Sequence, residues 1–262
     1  MAKTTKIEWT KSSWNPWQGC TKVSPECANC YMYTDKERYG QNPSIVIRSS
    51  DETFCQPLKK WKESTLIFTC SWSDFFHKDA DIWRDEAWDI IRRTPHHIYQ
   101  ILTKRPERIR EHLPADWPFD NVWLGVTVGI QILLNQRMSF LIENLACIRF
   151  LSVEPLLESV DLSHWPSYLN WVIVGGESGP HARPMNLDWA RQIVQQCQEH
   201  EVPIFVKQLG THWAKTTGTY EKGSSKGENA ELWPQDLRVQ EYPEILYQVH
   251  SKSSAPKQLE LF

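Results

Sequence analysis

Apolar and polar positions alternate along this chain in a regular rhythm. Short apolar runs bounded by turn residues give way to longer stretches that are apolar every third or fourth residue. The first kind predicts strands and the second amphipathic helices. A short strand is expected over 7–10, and a helix over 28–39 stopped by Gly40. Residues 42–60 have no firm period and read as an irregular insertion. A strand is expected over 66–70, then a helix over 85–93 that Pro95 ends. Strand 98–102 follows, then a short helix reaching His112, and strand 122–126. Helix 131–144 is apolar at Ile132, Leu133, Met138, Leu141 and Ile142, with Leu145 just beyond. Strands 148–153 and 171–174, helix 187–200 and strand 203–207 complete the series.

Strand and helix in alternation, with near-continuous apolar strands, predict a parallel sheet with crossover helices. The expected class is α/β, a full or partial (β/α) barrel of TIM type, with a doubly wound open sheet as the competing architecture. After each strand comes a polar cluster: the loop around residue 20, then SWSDFFH, TKRPER, TVG, VEP, GGESGP and KQLG. In a barrel such loops share one rim. The rhythm stops near Gly210. Residues 1–213 are therefore expected to form the barrel with its N-terminal loop. Residues 214–262 are expected to be a flexible loop and extension without a core of their own, ending in a polar tail over 251–257.

Composition narrows the class. A charged fraction of 23% against 40% hydrophobic fits a soluble globular protein, and the net charge of −3 provides no global field toward nucleic acid. No apolar run has membrane-spanning length and the N-terminus lacks a signal-peptide core, so a cytoplasmic location without membrane association is expected. There thiols stay reduced, and clustered cysteines mean metal rather than disulfides. The 14 tryptophans suggest either a site walled with flat rings or large buried core aromatics.

The cluster is WNPWQGCTKVSPECANCY, residues 14–31, with Cys20, Cys27 and Cys30 spaced C-x6-C-x2-C. Three close thiolates can hold a metal or an iron–sulfur cluster. Structural zinc usually takes four ligands, whereas three leave a position open for a substrate or cofactor. Cys27-x-x-Cys30 reads as one turn entering a helix, and Trp14, Pro16 and Trp17 as a shield for the site. The alternative is a zinc knuckle or three unrelated thiols. Cys55, Cys70, Cys147 and Cys197 are scattered and read as small buried hydrophobes.

Other candidates stand at strand ends. Gly175, Gly176 and Glu177 follow a strand; the glycines let a ligand approach the backbone, and the carboxylate suits an ammonium or ribose hydroxyls. Ser152 and Glu154 end another strand, Lys207 and Gln208 the last. Thr103, Lys104, Arg105 and Arg108 form a basic knot suited to phosphate or carboxylate. Ser71, Ser73, Asp74 and His77 follow an earlier strand, and Asp74, His77 and Glu177 admit a metal-free hydrolase as a third reading.

Taken with SDFFH, LTKRPER, WLGVTV, FLSVEPLL, WVIVGGESGPHARPMNLDWARQIVQQC and VPIFVKQLG, the cysteine motif resembles the phage Gp37/Gp68-like family, a domain of unknown function, over nearly the whole chain to Gly210. That family is similar to radical S-adenosylmethionine (SAM) enzymes, and it is often encoded beside a three-Cys-motif partner protein. The resemblance implies a radical SAM-like partial TIM barrel, a [4Fe-4S] cluster on Cys20, Cys27 and Cys30, and SAM on the open iron. It implies reductive cleavage of SAM to methionine and a 5′-deoxyadenosyl radical, acting on a substrate that it leaves unspecified; a nucleic acid or nucleoside suits the basic knot and the aromatics. The alternative is a zinc- or cluster-stabilised, non-catalytic binding subunit of a phage or mobile-element system. Most radical SAM enzymes use C-x3-C-x2-C and carry their glycine motif after the second strand. Here GGES follows the sixth, so Glu177 is a SAM ligand by chemical analogy. The closer family continues WLGVTV with Glu-Asn; this chain has Gly129-Ile130, so an acid there is lost or moved.

Overall fold

The computed structural model describes residues 5–220 and 223–244. The first strand, β1 (Ser12–Trp14), is followed by a small antiparallel ribbon of β2 (Trp17–Gln18) with β3 (Ile47–Arg48). Six further strands are β4 (Leu66–Thr69), β5 (Ile98–Thr103), β6 (Val122–Thr127), β7 (Ile148–Val153), β8 (Trp171–Gly175) and β9 (Ile204–Gln208). With β1 they make one sheet of seven, every neighbouring pair parallel, in the order β1-β4-β5-β6-β7-β8-β9. A doubly wound sheet reverses its strand order at a switch point. Here the order never reverses, so right-handed crossovers keep the connecting helices on one side. No pairing joins β1 to β9 among the described residues, and the fold is a partial (β/α) barrel of TIM type.

The helices are α1 (Tyr31–Arg38), α2 (Asp51–Phe54), α3 (Gln56–Lys59), α4 (Asp81–Arg93), α5 (Gln131–Ile142), α6 (Leu187–Glu199) and α7 (Thr211–Thr216). None is long and apolar enough to cross a membrane among the described residues. Strand alternation divides the core. Ile67, Tyr99, Ile101, Leu124, Leu151 and Val172 belong to the larger apolar cluster, which also holds Trp88, Met138 and Ile193 from α4, α5 and α6. The intervening positions, Leu66, Ile98, Trp123, Phe150, Ile173 and Phe205, fill the concave interior together with Trp9 and Trp171. Both faces of each strand are thus covered, which explains the unbroken apolar runs.

Several elements differ from the pattern reading. The chain turns over 7–10, and the first strand comes two residues later. Its alternation sends Trp14 away from the barrel mouth. Trp14 and Trp17 are fully buried in the larger core, where Trp14 donates to the Phe54 carbonyl oxygen at 3.0 Å and Trp17 to that of Asp74 at 3.1 Å. They pack the fold and do not shield the cysteines. The insertion 42–60 contains β3, α2 and α3. Helix α5 hides Leu134, Arg137, Met138 and Leu141, while Ile132 and Leu145 are exposed. It is apolar around most of its circumference, so periodicity could not choose its face.

Beyond α7 the chain returns to the barrel. Trp233 and Leu237 are buried in the larger core. Val206 N–H donates to the Val239 carbonyl and Glu241 N–H to that of Ile204, which covers the open edge of β9. The polar tail expected over 251–257 lies outside the described residues.

Candidate functional site

The concave-facing positions are mostly apolar low in the barrel and polar at its carboxyl end. On β9 Phe205 runs on to Lys207, and on β5 Ile98 and Leu102 run on to Lys104, with the buried Gln100 as the polar exception between them. Register sets Thr127 beside Ser152. A cavity of about 1050 Å³ opens at this end. Ser71, Ser73, Thr103, Lys104, Thr127 and Ser152 line it, as do Glu154, Glu177 and Lys207, together with Cys20, Cys27 and Cys30. Gly175 and Gly176 stand behind the wall. A Cβ on Gly176 would collide with the Leu209 carbonyl, and one on Gly175 would lie 3.4 Å from the Gln208 carbonyl oxygen. At Gly176 the space beside the backbone is taken by the packing of the β8 and β9 ends.

The cysteine loop roofs the cavity. Cys20 follows Gly19, whose φ of +96° is the left-handed backbone that glycine tolerates. Cys27 ends a 3₁₀ turn over Pro25–Cys27, and Cys30 caps α1, so the two-residue gap does enter a helix. All seven cysteines are free. Among the described residues no group of three or more His, Cys, Asp or Glu is arranged to hold a metal ion. Burial, with Asp74 nearby, pushes the Cys20 thiol up to about 11 against the pull of Arg105. Ligation there displaces a proton. Of the scattered cysteines, Cys70 and Cys197 are buried and Cys55 and Cys147 half-buried.

Three ionised contacts fasten the loop to three strand ends. At the first, Arg105 donates to Cys20 Sγ at 3.5 Å, to the Thr21 carbonyl oxygen at 2.7 Å and to Asp74 Oδ2 at 3.2 Å. Asp74 also accepts from the Thr103 hydroxyl at 2.7 Å and Lys104 N–H at 2.9 Å. At the second, Glu26 Oε1 accepts from Gly129 N–H and from Arg137 on α5, both at 3.0 Å. A Cβ on Gly129 would collide with the Pro155 carbonyl and lie 2.8 Å from Glu26 Cγ. The cysteine loop thus brings a carboxylate to the place after β6 where the chain itself has glycine. Gly129→Ala is expected to cost about 1–3 kcal/mol by overpacking, read as a lower melting temperature.

The third contact involves Glu177. Its carboxylate is 6% exposed and accepts from Arg183 Nε at 2.9 Å, Arg183 N–H at 2.8 Å and Asn29 Nδ2 at 3.0 Å. Arg183 also donates to the Pro25 carbonyl oxygen at 3.1 Å. The charge partner of Glu177 is therefore Arg183, while Lys207 pairs with Glu154 at 2.6 Å. Burial alone would raise the Glu177 carboxyl, but Arg183 and Asn29 outweigh it and hold it below the usual range. A depressed carboxyl stabilises the fold above its unfolded pKa, ~4.3, and that contribution is lost as pH falls through the folded value. Glu177→Gln is accordingly expected to lower the melting temperature at pH 7 and to flatten its decline below about pH 4. Parallel acid limbs in thermal melts would remove Glu177 from the clamp.

The basic knot divides. Arg105 turns to Asp74 and Arg108 to Asp81, so Lys104, which reaches only the Thr127 hydroxyl at 3.4 Å, remains as the cation facing the cavity. The hydrolase set does not assemble. Asp74 is held by Arg105, Glu177 by Arg183, and His77 Nε2 meets the Thr21 hydroxyl at 3.0 Å. Burial and then Arg105 hold the His77 ring below the usual histidine range. Pattern reading missed Glu26, Arg137 and Arg183. A charged residue between Leu134 and Met138, on the face that α5 buries, is the one signal that marks Arg137.

The chain matches the model of a family described as Protein of unknown function (DUF5131) over residues 4–253. No curated protein matches it. Among solved structures, a mutant of spore photoproduct lyase is similar with a TM-score of 0.43 and 14% sequence identity, over 76% of this chain. The match spans 64% of that protein's chain, less than two thirds of its length.

Proposed function

This chain belongs to the family Protein of unknown function (DUF5131), and from that premise we propose that it is an iron–sulfur enzyme of the radical SAM type. One observation carries the proposal. Cys20, Cys27 and Cys30 line the same cavity as the polar strand ends, at the carboxyl end of an open parallel half-barrel, where barrel enzymes place their chemistry.

The donor set fits a cluster better than a single zinc ion. Structural zinc usually closes with four ligands, whereas here three cysteines line the cavity, and a cluster held by three thiolates leaves one iron free for a ligand. Bound here, a reduced [4Fe-4S] cluster with SAM would supply one-electron reductive chemistry. The chain's residues orient and enclose. Cys20, Cys27 and Cys30 would hold the cluster, and the three ionised contacts hold their loop over the cavity. Lys104 offers its charge to a carboxylate and Ser152 a hydroxyl, while the Ser71 hydroxyl is bonded to the Asn15 side chain. Glu154 and Lys207, paired to each other, present a polar wall without net charge.

The test is anaerobic reconstitution followed by incubation with SAM and a reductant. Brown protein with about four irons per chain and release of 5′-deoxyadenosine are expected. Colourless protein with about one zinc would replace the proposal with a zinc-held binding subunit.

A further inference from the structure

We infer that the mouth of this cavity takes a single-stranded nucleic acid, with phosphates on its free cations and a base on its exposed tyrosines. The inference rests on the reading of the cavity as the active site and names its substrate class.

Charge balance carries the argument first. Four acids of the cavity wall are neutralised by the protein's own cations: Asp74 by Arg105, Glu26 by Arg137, Glu177 by Arg183 and Glu154 by Lys207. What is left over is unequal. Lys6, Lys22, Arg38, Lys104, Lys215 and Lys226 line the cavity, and none forms a salt bridge among the described residues. Among the described residues that line the cavity, only Glu8, Asp35 and Glu37 stand against them as carboxylates without a salt bridge. A chain whose net charge is −3 therefore gathers a surplus of positive charge around one opening. Such a local surplus in a cleft concentrates anions there.

Aromatic rings are placed among those cations. Tyr31 is 45% exposed and Tyr220 43%, and both line the cavity. Lys22 Nζ lies 4.7 Å from the Tyr33 ring centre and Lys215 Nζ 5.8 Å from that of Tyr220. Cations that follow a backbone, interleaved with rings on which bases stack, are what unspecific single-strand binding requires. Size agrees. The cavity of about 1050 Å³ stands at the upper end of the range of ligand sites and is wide enough to admit a nucleotide at its mouth. A duplex keeps its bases stacked out of reach, so a base reaches such a site only from a single strand or by flipping.

The experiment measures fluorescence anisotropy of a labelled 12-nucleotide DNA, the RNA of the same sequence, and the DNA duplex, over a salt series. It is run on metal-free and on reconstituted protein, so that a failure of strand binding is separate from a failure to bind iron or cleave SAM. Single strands are expected to bind more tightly than the duplex, and whichever of DNA and RNA binds better identifies the sugar. Lys215→Ala and Lys226→Ala should each weaken binding and lower the salt slope by about 0.7 per lost phosphate contact. Tyr220→Ala should weaken binding about tenfold with the salt slope unchanged. Absence of single-strand binding at low salt would overturn the inference. So would equal or tighter binding of the duplex, or affinities that all three substitutions leave unaltered.

Discussion

Glu26→Ala is expected to lower the melting temperature by on the order of 10 °C. The Glu26 side chain is fully buried and its partner Arg137 is 6% exposed. Removing the carboxylate leaves a guanidinium buried with the Thr127 carbonyl as its remaining acceptor, and leaves Gly129 N–H unpaired. Breaking a buried pair from one side typically costs about 3–5 kcal/mol. For a chain of this size each kcal/mol moves the midpoint by about 2–4 °C. Glu26→Gln, which keeps the volume and one acceptor oxygen, should cost less. The double variant Glu26→Ala with Arg137→Met should recover part of the loss, because the stranded charge goes as well. A Glu26→Ala protein that melts within about 2 °C of the parent would mean that the contact does not hold the loop. The effect reaches the site, since Glu26 directly precedes Cys27.

Cys27→Ala is expected to abolish iron binding and its visible absorbance, as are Cys20→Ala and Cys30→Ala. Cys197→Ala is expected to keep both. With three thiolates and one open position, loss of one leaves two ligands, too few to retain a cluster. Cys197 is buried on α6 in the larger core, where burial pushes its thiol up to about 12. Its removal costs packing and not ligation. Iron content and the absorption spectrum after parallel reconstitution separate the two groups. Equal loss from Cys197→Ala and Cys27→Ala would defeat the assignment.

These two outcomes depend on different kinds of information. The cysteines were legible in the sequence, because three thiols within eleven residues are local and their chemistry is narrow. The class was legible too. A parallel sheet buried on both faces writes itself as apolar runs, and strand 148–153 was placed to the residue. That polar clusters follow strands pointed to a shared rim, and the cavity does gather Ser71, Lys104, Glu154, Glu177 and Lys207.

What the sequence left open was decided by partners distant in the chain. Asp74 and Arg105 are 31 positions apart, Glu26 and Arg137 111 apart. No local pattern reveals that these charges neutralise one another, because a carboxylate looks the same whether it waits for a ligand or already holds an arginine. Burial and pairing are properties of the folded arrangement. The same limit hid the direction of Trp14: the strand starts at Ser12 and not at residue 7, and only the neighbouring strand fixes which of its faces is inside. The sequence by itself determined the rhythm of the barrel and the thiol chemistry at its mouth. The tertiary structure decided which charged groups fasten the cysteine loop and which stay free to meet a ligand, since that choice depends on through-space distances that chain order does not encode.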